Sequence, residues 1–130
     1  MNYLYGIDTS DFIRLLTGDP EAEYEKTVRR FEERLEKEPH FVSNQVIGES
    51  YVALQLHYGI TKSEARSAIL EVLSSSLCSP LNGASMIEAL QTDQGCGLLD
   101  RLIADGYAKH SMKVLTNDLK MSRLPSAQKL

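Results

Sequence analysis

The chain has 130 residues, of which 42% are hydrophobic and 25% charged, with a formal net charge of −4. This size fits one domain, spanning residues 1–130, with one core, and the balance excludes a disordered chain. No apolar run approaches the ~20 residues of a membrane helix, and the N-terminus lacks the basic and apolar regions of a signal peptide, so a cytoplasmic protein is expected.

The predicted elements alternate. The segment 3–8 reads as a short buried strand ending at Asp8, and Asp11–Leu16 as a brief helix. Asp19 is placed to cap, and Pro20 to open, a helix over Pro20–Glu38, whose Tyr24, Val28, Phe31 and Leu35 form one stripe. Phe41-Val42 is a second strand candidate. Ser43 caps a helix that runs to about Tyr58 and stops at Gly59. Thr61-Lys62-Ser63-Glu64 matches a capping box for a helix with Ala65, Ile69, Val72 and Leu73 inward. Leu77–Gly83 is a loop or short edge strand, and Ser85–Gln91 a short helix. Leu98–His110 reads as a helix with Leu99, Leu102, Ile103 and Tyr107 on its inner side. Met112–Thr116 is a strand, Leu119–Leu124 one or two helical turns, and the short tail leaves little room for a last edge strand. Strands alternating with helices imply an α/β fold, a three-layer α/β/α sandwich around a mostly parallel sheet of four to five strands.

Four acids stand out. Asp8 and Asp118 fall at the carboxyl ends of predicted strands, where ligands bind in open α/β sheets. Glu49 shares the helix face of Val46 and Ala53, and points toward the edge of the core. Asp100 lies in the first turn of a helix that follows glycines, a favourable place for an acid near the helix dipole. Each has an alternative role. Asp8 suits a turn, Asp118 and Asp100 suit helix caps, and Glu49 suits a buried ion pair with an Arg or Lys, or a side chain that snorkels out to solvent. Two carboxylates about 4 Å apart repel by roughly 4 kcal/mol at an effective dielectric near 20, so convergence would call for a cation. Oxygen-only ligands favour Mg²⁺ or Mn²⁺, and such ions suit phosphodiester hydrolysis. Cys78 and Cys96 form no Cys-x-x-Cys pair, and His40, His57 and His110 are scattered, which argues against zinc.

Charge is unevenly distributed. Residues 101–130 carry six bases and two acids, 6 − 2 = +4, in a chain that is acidic elsewhere. Arg101, Lys109, Lys113, Lys120, Arg123 and Lys129 would suit a polyanion, or form a solvated surface. Arg101, Lys120 and Arg123 are candidates for phosphate contact.

From about Tyr5 to Leu124 the chain resembles the PIN-domain ribonucleases, in particular the VapC-type toxins of bacterial toxin–antitoxin pairs. Ile7-Asp8-Thr9-Ser10 resembles the first-acid motif, with Ser10 where many members have Asn. Val42-Ser43 through Val46-Ile47-Gly48-Glu49 resembles the passage carrying the second acid. Leu99-Asp100-Arg101-Leu102-Ile103-Ala104 is similar to the third-acid helix, and Val114-Leu115-Thr116-Asn117-Asp118 to the strand that supplies the fourth. The resemblance implies a PIN-like fold and a Mg²⁺- or Mn²⁺-dependent endoribonuclease with Asp8, Glu49, Asp100 and Asp118 as catalytic metal ligands. It also implies an RNA substrate, a homodimer and, for the toxin branch, a small antitoxin. Thr9, Ser10, Thr116 and Asn117 would support the ligands by hydrogen bonds. Two other functions remain open. One is an inactive PIN-like module that binds RNA or protein. The other is a phosphoacceptor domain, disfavoured by the lack of a late strand-end lysine and of adjacent acids near Asp8.

Overall fold

The computed structural model describes residues 4–34 and 39–130. The fold is α/β, as the alternation predicted, and its chain divides into two compact units, residues 1–81 and 82–130. The last four residues of the predicted Pro20–Glu38 helix, with Leu35, lie outside the described residues.

The first unit contains a parallel sheet in the order β1 (Tyr5–Gly6), β2 (His40–Val42), β3 (Ser79–Pro80). Tyr5 faces His40, and Phe41 faces Ser79. Pro80 lacks an N–H, and its place on an edge strand meets that deficit. Helix α1 (Thr9–Thr17) starts at Asp8 and ends at Gly18, whose φ of 67° is the left-handed cap conformation that glycine adopts without strain. Helix α2 (Glu21–Arg34) begins one residue later than predicted. Pro20 offers its carbonyl to the Tyr24 N–H at 2.9 Å, so it occupies the cap rather than the first helical position. The stripe of α2 is only half-buried, and its Phe31 ring lies 4.9 Å from that of His40.

Helices α3 (Asn44–Tyr58) and α4 (Lys62–Leu73) match their sequence signals closely. Ser43 Oγ accepts from Val46 N–H at 3.2 Å, Gly59 ends α3 at φ 65°, and Thr61 Oγ1 accepts from Glu64 N–H at 3.1 Å. Phe12, Val42, Ile47, Ala65 and Ile69 are completely buried and form the apolar interior with Leu15, Tyr51 and Leu54. Cys78 is buried here, which pushes its thiol up to about 11 and leaves it inert near neutral pH.

The second unit contains α5 (Ala84–Gln91), α6 (Leu98–Ala108), and the parallel strands β4 (Val114–Thr116) and β5 (Ala127–Lys129), joined by a 3-10 turn over Met121–Arg123. Two expectations change here. The tail after Leu124 does form an edge strand, with Val114 facing Ala127 and Thr116 facing Lys129. Helix α6 buries Leu98, Leu102 and Ala104, while Leu99, Ile103 and Tyr107 are 42%, 49% and 44% exposed. The helix is turned by about one residue, or ~100°, from the predicted orientation. Apolar residues occupy both faces, so periodicity alone did not select the one that packs. Cys96, Ala104 and Met121 pack with Val114 and Leu124. No helix among the described residues is long and apolar enough to cross a membrane.

Candidate active site

In the first unit, β1 leads directly to Asp8, and α3 carries Glu49. The two are linked through Thr9, which follows Asp8 and donates its hydroxyl to Glu49 Oε2 at 2.5 Å. The packing of α1 against α3 makes this bond across forty residues of sequence. Gln45, one helical turn before Glu49, donates to Oε1 at 3.3 Å. Glu49 is exposed and takes part in no ion pair among the described residues, which leaves a solvent-facing side chain as its alternative role. The Thr9 bond, and then the Gln45 bond, hold its carboxyl below its ordinary value. The half-buried Val46 and Ala53 flank it, which is the edge-of-core position that the helical period predicted.

Asp8 Oδ1 accepts from the Asp11 backbone N–H at 3.0 Å and from Ser10 Oγ at 3.2 Å. Serine therefore keeps a hydrogen-bond donor where asparagine is commoner. The Asp11 N–H leads in keeping Asp8 below the ordinary aspartate range. Asp11 shifts the opposite way, raised first by burial and then by its interaction with Asp8. Its ion pair with Arg14, at 3.1 Å, opposes that shift without overcoming it. Sequence reasoning missed Asp11 and Gln45 as neighbours of the acids. Their spacings, three after Asp8 and four before Glu49, were the signals available.

In the second unit, Asp118 follows β4 and accepts from Met121 N–H at 2.7 Å through Oδ1. It thus satisfies the N–H of the first residue of the 3-10 turn, a bond of the capping kind weighed for it. Thr116 Oγ1 accepts from the Asp118 N–H at 3.0 Å and fixes the turn at the strand end. Asp100 is half-buried in the first turn of α6 and makes no hydrogen bond or ion pair among the described residues. Arg101 Nε donates to Cys96 O at 3.3 Å and its Nη2 to Gln94 O, so it braces the loop before α6.

Among the described residues, no three His, Cys, Asp or Glu side chains form a ready-made metal group. The donor chemistry nevertheless fits a hard divalent cation. Asp8 and Glu49 offer carboxylate oxygens that accept chiefly from neutral donors, and neither forms an ion pair among the described residues. Asp8 follows the parallel strand β1 and Asp118 the parallel strand β4, the strand end at which open α/β sheets bind ligands. The PIN domain family matches residues 5–127, through both units, and the chain belongs to that family. No curated protein and no solved structure matches it.

Proposed function

We propose that this PIN domain, residues 1–130, is an endoribonuclease dependent on Mg²⁺ or Mn²⁺. Its proposed ion ligands are Asp8, Glu49, Asp100 and Asp118, the four acids that the family resemblance singles out. The observation that carries the reading is the Thr9–Glu49 hydrogen bond, made by the residue next to Asp8. It holds a carboxylate charged and oriented without neutralising it, as a cation ligand requires. Membership of a family of nuclease-like domains supports the same reading.

A bound divalent ion supplies charge neutralisation at the phosphoryl oxygens and lowers the pKa of water. The chain's own groups prepare that chemistry. Thr9 and Gln45 fix both oxygens of Glu49, and Ser10 and the Asp11 N–H fix Oδ1 of Asp8. Both carboxylates thereby stay ionised further into acid than an ordinary Asp or Glu. Asp11 is the more readily protonated member of its pair with Asp8, so protonation there spares the Asp8 carboxylate.

The resemblance to VapC-type toxins extends the proposal to a cytoplasmic homodimer held in check by a small antitoxin. The test is cleavage of a mixed RNA pool with Mg²⁺ or Mn²⁺, alongside calorimetric titration of Mn²⁺. Wild type is expected to take up the ion and cleave, and Asp8→Asn to lose at least a hundredfold in rate. Equal cleavage by the two proteins would remove Asp8 from the site. Absence of both ion uptake and cleavage in wild type would identify a binding module instead.

A further inference from the structure

The second unit holds exposed cations that the proposed chemistry does not use. Between residues 109 and 130 the sequence has five bases, and Asp118 is the one acid. Lys109, Lys113, Lys120, Arg123 and Lys129 are all exposed. Lys129 Nζ donates to Asn117 O at 2.6 Å, and the other four make no ion pair among the described residues. All lie in the second unit. Lys113 leads into β4, Lys120 precedes the 3-10 turn that packs on β4 and β5, and Arg123 ends it. Lys109 lies in the tight connection from α6, where Met112 N–H donates to Tyr107 O at 3.1 Å.

Tyr107 adds a second and independent feature. Its ring is 44% exposed at the end of α6, although the helical pattern had assigned it to the core. Exposed cations and an exposed aromatic ring within one small unit are the combination that holds single-stranded nucleic acid, with charges on phosphates and a base stacked on the ring. An acidic polypeptide would use the cations and leave the ring idle.

We infer that Lys109, Lys113, Lys120 and Arg123, with Tyr107 as a stacking platform, form a docking surface for single-stranded RNA. The choice of RNA as the polyanion rests on the ribonuclease reading. Docking itself needs no metal, because it uses cations and a ring rather than carboxylates. The surface therefore sets how substrate is held and leaves bond cleavage to the acids.

The test uses the full chain in EDTA, with a fluorescent single-stranded oligoribonucleotide as probe and heparin as a polyanion without bases. With about four phosphates neutralised, affinity should fall about 50-fold between 50 and 200 mM salt, and only about 3-fold in the triple variant Lys113→Gln/Lys120→Gln/Arg123→Gln. Tyr107→Ala should weaken RNA binding about fivefold or more and leave heparin binding unchanged. All four substituted side chains are exposed, and unchanged thermal melts will verify folding. An unaltered salt slope in the triple variant, or equal loss for RNA and heparin in Tyr107→Ala, overturns the inference. Wild-type binding to poly-glutamate as tight as to RNA does the same. RNA docking without metal-dependent cleavage would sustain this surface and defeat the nuclease reading. Cleavage that the triple variant performs as well as wild type would do the reverse.

Discussion

Glu49 and Asp11 respond to protonation in opposite senses. The folded protein lowers the Glu49 pKa through Thr9, so the contribution of this carboxylate is present above the ordinary value of 4.5 and lost on acidification. Thr9→Val should let that pKa rise, moving the acidic limb of the pH–rate profile upward. Mn²⁺ affinity should fall about tenfold, as expected for loss of a group that orients a ligand. Thr9→Ser should restore both, and an unchanged profile in the valine variant would show Thr9 to be a bystander. Asp11 has a raised folded-state pKa, so its favourable contribution is present below the ordinary value of 3.8 and lost as pH rises. Asp11→Asn should therefore melt higher than wild type at pH 7, an advantage that disappears near pH 3. The lost Arg14 ion pair is half-exposed and worth little. A lower melting temperature at pH 7 would show instead that this pair matters more than burial.

At the scale of elements, two of the acids have a structural duty as well as the proposed chemical one. Asp8 caps α1, and Asp118 accepts from the first N–H of the 3-10 turn. Alanine removes both cap and charge, whereas asparagine keeps a capping oxygen and removes the charge. Asp8→Ala should lose about 1 kcal/mol of stability in metal-free buffer, and Asp8→Asn a few tenths at most. Denaturant melts measure the difference, and both variants should lose Mn²⁺ uptake. Equal stability of the two would deny the cap its role. Caps were the most legible features of the sequence. Ser43, Thr61 and Gly59 act where their residue types placed them, because each cap involves a backbone group only a few residues away. Strand β5 was illegible for the opposite reason. Its Ala-Gln-Lys sequence has little intrinsic strand preference, and pairing with β4 alone makes it a strand.

Across the whole molecule, the sequence by itself determined the α/β class, the succession of elements as far as the 3-10 turn, and the strand-end or helix position of each of the four acids. Those features follow from hydrophobic period, caps and strand ends, which are properties of short segments. It also carried the likeness to the PIN-domain family, which the match over residues 5–127 bears out. Only tertiary structure decided which face of α6 is buried, since Leu98 and Leu99 are equally apolar and packing chose Leu98. Tertiary structure also returned Arg101 to its own loop and exposed Tyr107. It joined Thr9 to Glu49 across forty residues, because a hydrogen bond between two helices depends on how they pack.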